Sequence, residues 1–218
     1  MPSTTFQLPA WFDLGATFAF GVTGALAGTK RGYDIVGLFF LALASSIGGG
    51  LIRDGVFIHS GGPTPLLTDP RYIEVVVAAT ILGALFGRHV IRFRRVIAII
   101  DALGLGAYAV FGVQKSLAAG LAVPAALLVG VINAAGGGLL RDIITGEEPL
   151  VFKPGQFYVL TALAGAVAFV FLTAQAGLGA TPAALAAIAL TFVFRMLSII
   201  FNWRTVPFGT EAPTTAGR

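Results

Sequence analysis

The sequence predicts an all-α membrane protein of seven transmembrane helices, built as two inverted three-helix repeats followed by a seventh helix. Three observations carry this expectation: an apolar composition, seven apolar runs of near-membrane length, and a glycine-rich segment that occurs twice.

Composition identifies the solvent. Of 218 residues, 56% are hydrophobic and 11% charged, whereas a soluble domain carries roughly 25% charged residues. The mean hydropathy of +0.89 points the same way. The 29 glycines would weaken helices in water, but in membranes small residues let backbones approach closely. Cysteine is absent, which excludes disulfides, thiolate metal sites and cysteine nucleophiles. His59 and His89 fall in different connecting segments and read as polar loop residues rather than metal ligands. No cofactor is therefore expected. The formal charge of +4 does not imply a nucleic-acid partner, because the basic residues flank apolar runs, as orientation signals do.

The first run, Leu14 to Gly28, follows Asp13 and ends at Lys30 and Arg31. No Lys or Arg occurs in the first ten residues, so the charged start of a signal peptide is missing and this run is expected to be retained. The second, Ile35 to Phe57, contains Gly48-Gly49-Gly50 followed by Arg53-Asp54, and the third spans Tyr72 to Gly87. Arg88, Arg92, Arg94 and Arg95 then form a topology anchor before the fourth run, Val96 to Val113, which contains Asp101 and leads to Gln114-Lys115. The fifth, Leu121 to Ile144, carries Gly136-Gly137-Gly138 and Arg141-Asp142. Glu147 and Glu148 after it read as solvated turn residues. The sixth, Phe157 to Ala176, is uniformly apolar, and the seventh, Pro182 to Phe201, contains Arg195. Arg195 lies roughly 10 Å inside the end of its run at 1.5 Å per residue, and is expected to snorkel to the interface.

Residues 1–204 thus form one transmembrane domain, with repeat 1 at about 13–88, repeat 2 at about 96–176 and the seventh helix at about 182–202. The polar tail 205–218, with Pro207 and Pro213, is expected to be disordered. With seven spans, one side receives Lys30, Arg31, the arginine cluster, Lys153, Arg204 and Arg218, and the other only Arg71 and Lys115. The positive-inside rule makes the richer side cytoplasmic, placing the N-terminus outside and the C-terminus inside a prokaryotic plasma (inner) membrane.

An offset of 88 residues takes Gly48 to Gly136, and the same step takes Asp13 to Asp101, Ala19 to Ala107, Val22 to Val110 and Gly24 to Gly112. Pro65-Leu66 and Pro149-Leu150 match at a slightly smaller offset. Three crossings return the chain on the opposite side, so the halves are inverted, and pathways commonly form where such halves meet.

Three adjacent glycines lower helix stability by roughly 1 kcal/mol each relative to alanine. Both triplets are therefore expected to bend or break their helices, with the freed backbone lining a water-filled cavity; the alternative is that they permit tight packing. Ser45 and Asn133, repeat counterparts, would present oxygens to an ion at those bends. Burying a charge in a bilayer costs a few kcal/mol, so two ion pairs are expected, Asp13 with Arg53 and Asp101 with Arg141, with snorkelling at helix ends as the alternative. Lys115 corresponds to Ala27 and breaks the symmetry, as a gate or electrostatic tuner or as an interfacial lysine. Gly24 to Gly28 and Gly83 to Gly87 are GxxxG spacings for helix contact within or between chains.

The doubled Gly-Gly-Gly-x-x-Arg-Asp, the Gln114-Lys115 step and the three plus three plus one layout resemble the prokaryotic branch of the trimeric intracellular cation channel family, which overlaps with bacterial membrane proteins described as glycine transporters. The resemblance covers roughly Asp13 to Phe201. It implies a homotrimer among membrane lipids, with one water-filled pore per protomer for monovalent cations, chiefly potassium, and with the second and fifth helices bent at their triplets. Animal members carry Lys-Glu-Val where this chain reads Lys115-Ser116-Leu117, so the glutamate associated with a phosphoinositide role is replaced.

A passive channel for potassium or sodium ions is the function these features favour, with a secondary transporter of a small amino acid such as glycine as the alternative. An enzyme is disfavoured, since no Ser-His-Asp, HExxH or clustered carboxylates lie within the spans.

Overall fold

A computed structural model describes residues 8–59, 63–64, 68–90, 94–153, 157–203 and 205, with the side chains of 88–90 and 94–95 outside that description. The Pro65-Leu66 match, the side chains of the arginine cluster and of His89, Arg204 and, apart from Thr205, the tail expected to be disordered lie outside what is described, while the backbone of His89 falls in the last turn of a helix and not in a loop. Among the described residues, seven helices run in order: α1 Trp11–Arg31, α2 Ile35–Ile52 continued by a wider π-helical turn Arg53–Ile58, α3 Arg71–Val90, α4 Arg94–Ala118, α5 Val123–Thr145, α6 Tyr158–Ala174 and α7 Ala180–Ile200. Each coincides with an apolar run to within a few residues.

Local chemistry explains the boundaries. The α1 helix stops at Gly32, whose φ of 74° reverses the chain while its N–H caps carbonyls of the last turn. Two residues later Asp34 caps α2 by accepting from the Gly37 N–H at 2.8 Å. A proline opens the first turn of α5, and Gly146 ends it at φ 67°. Among the described residues, four spans, Ile35–Ile58, Val96–Ala118, Val123–Thr145 and Ala180–Ile200, are long and apolar enough to cross a membrane by length and composition. The other three helices are shorter or dilute their apolar residues with charge, as α1 does with Asp13, Lys30 and Arg31.

The molecule is apolar outside. Phe40, Leu85, Leu128, Phe171, Val193 and Ile200 are all exposed, while Asp13, Arg53, Asp54, Asp101, Arg141 and Asp142 are buried. This arrangement suits lipid, where the polar groups must satisfy each other inside.

Helices α1 and α4 each pack on the helix that follows them, and α2 packs on α5 between the halves. The pseudo-two-fold relation is visible in single contacts. Phe20 and Tyr108, one repeat apart, stack with centroids 5.3 Å apart and planes within 10°. At the α2–α5 crossing, a Cβ on Gly49 would stand 2.0 Å from the Asn133 carbonyl oxygen, and one on Gly137 would stand 2.0 Å from that of Ser45. The two contacts are images of each other under the repeat.

Of the bend or break expected at the triplets, the break is not found at that crossing. Helical hydrogen bonding runs unbroken through both triplets, and the departure from α geometry comes later, in the turn at Arg53–Ile58. Gly49, Gly136 and Gly137 act as contact surfaces, because only hydrogen fits where two backbones touch, and Gly48 packs against the Leu140 side chain. The GxxxG glycines behave likewise and within one chain: Gly24 and Gly28 seat α2, while Gly83 and Gly87 seat Ala25 and Thr29 of α1.

Candidate functional site

Two polar clusters lie at opposite ends of the α2–α5 pair, each built from repeat-related positions. At the end of α2, Arg53 holds its sequence neighbour Asp54 in a bidentate pair, Nε to Oδ1 at 2.7 Å and Nη2 to Oδ2 at 2.8 Å. Its Nη1 donates to Asn133 Oδ1 at 3.2 Å, and its guanidinium lies 5.4 Å from the centre of the Phe111 ring. Lys115, from α4, donates to Asp54 Oδ2 at 2.8 Å. Asp13 accepts a short hydrogen bond from the Tyr72 hydroxyl at the start of α3.

The expected Asp13–Arg53 ion pair is therefore not formed. Arg53 is drawn to Asp54 by adjacency, and Asp54 is stabilised further by Lys115, so Asp13 finds its donor in Tyr72. The symmetry-breaking lysine thus points inward to a buried carboxylate rather than to the headgroups.

At the end of α5, Arg141 Nε donates to Asp142 Oδ1 at 2.9 Å, and Nη1 reaches Asp101 Oδ1 at 3.3 Å and Thr23 Oγ1 at 3.0 Å. The expected Asp101–Arg141 pair is thus present. Asp142 Oδ2 accepts the Leu150 N–H at 3.3 Å. Thr23 is the repeat counterpart of Phe111, so equivalent arginines meet a hydroxyl in one half and a ring in the other. Arg195 does not snorkel: it is 3% exposed, with its guanidinium 4.9 Å from the centre of the Tyr158 ring.

The third glycine of each triplet faces these clusters. A Cβ on Gly50 would have only Arg53 Nη2 nearby, at 3.7 Å, and one on Gly138 would face the Tyr158 hydroxyl at 3.2 Å and Arg141 Nη2 at 3.6 Å. Asp13, Thr17, Gly50, Arg53, Asp54 and Tyr72 line a cavity of about 30 Å³, room for roughly one or two water molecules. Ser45 and Asn133 are engaged by protein: Ser45 Oγ donates to the Leu41 carbonyl at 2.7 Å, and Asn133 Nδ2 donates to the Tyr108 carbonyl at 2.7 Å.

Residues that sequence reasoning passed over complete both clusters. Tyr72 and Tyr158 stand at the starts of α3 and α6. Tyr108 bridges the halves, hydrogen-bonded to Thr17 at 2.9 Å and donating to the Ser46 carbonyl. Thr23 carried no sequence signal. Glu147 is not a free turn residue, since it binds Lys30 at 2.9 Å and lies 3.7 Å from Arg31. Its carboxyl is held below the usual range, chiefly by the Lys30 hydrogen bond. Among the described residues, no three His, Asp or Glu side chains are grouped to hold a metal.

Comparison with known proteins agrees with this layout. The family described as Glycine transporter matches residues 10–88 and 98–174, close to the two halves. A UPF0126 membrane protein of Deinococcus radiodurans is 33% identical over 168 residues, covering 75% of this chain and 77% of that protein. The UPF0126 inner membrane protein YadS of Escherichia coli is 25% identical over 206 residues, covering 94% and 98%. The crystal structure of the TRIC trimeric intracellular cation channel orthologue from Rhodobacter sphaeroides matches with a TM-score of 0.81 and 31% identity, over 88% of this chain and 96% of that one. The chain is an integral bacterial membrane protein, all-helical, with a fold shared with channels rather than enzymes. It belongs to the prokaryotic trimeric intracellular cation channel family, in which the proteins described as glycine transporters and the UPF0126 membrane proteins also fall.

Proposed function

We propose that the chain is a passive channel for monovalent cations, with potassium preferred and one pathway per protomer, working as a homotrimer in the bacterial inner membrane. The observation that carries this reading is the match to a solved cation channel over 96% of that chain. The pathway follows α2 and α5 through one transmembrane domain, residues 1–204, from the Arg53–Asp54 cluster to the Arg141–Asp142 cluster. Gly50 borders the small cavity at the first cluster, and Gly138 lies against Tyr158 and Arg141 at the second, where a partly dehydrated ion would pass. Gly48, Gly49, Gly136 and Gly137 hold the two helices together, while Ser45 and Asn133 place oxygens at the crossing. Lys115 tunes or gates the mouth it shares with Asp54 and Asp13, since a cation beside a cation pathway raises a barrier. Asp101 and Asp142 serve the opposite mouth. The N-terminus lies outside and the C-terminus in the cytoplasm, in keeping with the excess of Lys and Arg on the connections to that side.

A second reading, secondary transport of glycine, is favoured by the description of the matching family. Planar-bilayer recording of the purified protein separates the two. Ohmic single-channel steps that reverse near the potassium equilibrium potential support the channel; no steps, with saturable glycine uptake into proteoliposomes, supports the transporter. Gly138→Ala, which places a methyl beside Tyr158 and Arg141, lowers unitary conductance if ions pass there.

A further inference from the structure

Each Arg-Asp cluster takes one cation from outside the repeat relation. Lys115 corresponds to Ala27, and Arg195 lies on α7, which neither repeat contains. Left to the repeats alone, each mouth would hold two carboxylates and one arginine: Asp13, Asp54 and Arg53 at one, Asp101, Asp142 and Arg141 at the other. Lys115 balances the first through its 2.8 Å bond to Asp54, and Arg195 brings the second positive charge to the other.

Arg195 is poorly explained as packing. It is 3% exposed within a membrane span, where a buried cation costs a few kcal/mol that an apolar side chain would avoid. Its guanidinium lies over Tyr158, and the charge of Asp101 acts on it. Tyr158 itself is 3% exposed, and its hydroxyl has no hydrogen-bond partner among the described residues. The ring is held by its face, so the arginine positions the tyrosine that stands over Gly138.

We propose that Arg195 sets the electrostatic barrier at the Arg141–Asp142 mouth, as the counterpart of Lys115 at the other, which makes the seventh helix a tuning element of permeation. This rests on the channel reading above. Removing one positive charge from a mouth raises the local cation concentration by about two- to threefold, the factor given by a unit charge several ångströms from a hydrated ion.

The test is unitary current in spheroplast patches, where every copy keeps one orientation. Arg195→Gln is expected to raise current entering from the α7 C-terminal side by about two- to threefold, so that the current–voltage relation rectifies. Lys115→Gln is expected to rectify in the opposite sense, the double variant to return toward linearity, and Arg195→Lys to match the unmodified protein. Arg195→Met gives the same readout where Arg195→Gln assembles poorly. An unchanged, linear Arg195→Gln overturns the inference, as does rectification in the same sense as Lys115→Gln, or an Arg195→Lys that behaves like Arg195→Gln. Failure of the unmodified chain to give ohmic steps overturns the channel reading itself, and the inference with it.

Discussion

Replacing Gly49 or Gly137 by alanine tests whether the triplets are contact surfaces or flexible joints. The added Cβ would begin 2.0 Å from a carbonyl oxygen of the facing helix, whereas ordinary contact starts at 3.4 Å. The obstruction is backbone on both sides, so no side chain can turn away and α2 must part from α5. Overpacking of this kind costs about 1–3 kcal/mol, and a backbone obstruction belongs at the upper end. Alanine returns roughly 1 kcal/mol through helix propensity, leaving a net loss of about 2 kcal/mol. Gly15, with no atom within 4 Å of its would-be Cβ, has only the gain, up to about 1 kcal/mol. Unfolding of the purified protein in mixed micelles as the fraction of denaturing detergent rises should place Gly15→Ala at or above the unmodified chain, and both Gly49→Ala and Gly137→Ala well below it. If the two crossing variants are as stable as the parent, the close approach of α2 and α5 is wrong, and with it the role given to the triplets.

Other consequences are equally direct. Tyr72→Phe strips the hydroxyl that satisfies buried Asp13 and should cost about 1–3 kcal/mol, whereas Tyr158→Phe, which loses a hydroxyl with no partner among the described residues, should be close to neutral in the same unfolding assay. Double-mutant cycles should find coupling of about 1 kcal/mol or more for Asp101 with Arg141 and for Asp54 with Lys115, and clearly less for Asp13 with Arg53. For the exposed Lys30–Glu147 pair the carboxyl is held below its ordinary value, so its contribution is present above the unfolded value and is lost as pH falls through the folded one. Because Glu147 is 42% exposed, solvent screening keeps this below about 0.5 kcal/mol, and Glu147→Gln should barely alter unfolding at neutral pH.

Much of the architecture was legible because membranes impose long-range regularity on a chain. Apolar length marked the seven helices, and the offset linking Gly48 to Gly136 disclosed the inversion. One ion pair was legible for the same reason, since Asp101 and Arg141 face each other across adjacent helices. Its image is absent because Arg53 spends Nε and Nη2 on its neighbour Asp54 and Nη1 on Asn133, while Asp13 finds its donor in Tyr72. The break expected at the triplets is absent for a different reason. Propensity measures what glycine costs a helix in isolation, while at a crossing the neighbouring backbone repays that cost through close packing. Tyr158 escaped notice, and Arg195 was expected to snorkel instead of lying over it, because their meeting depends on α7 folding back over α6, which no local pattern encodes.

The crossing at Gly49 and Gly137 also bears on whether the molecule is divisible. Each half covers, with its own peptide carbonyls, a strip of bare glycine backbone on the other, and hydrocarbon is a poor substitute for that cover. A severed amino-terminal half would have to meet a severed carboxy-terminal half inserted upside down before either could rest in the bilayer. The two pieces are interdependent, and the covalent link makes their encounter intramolecular.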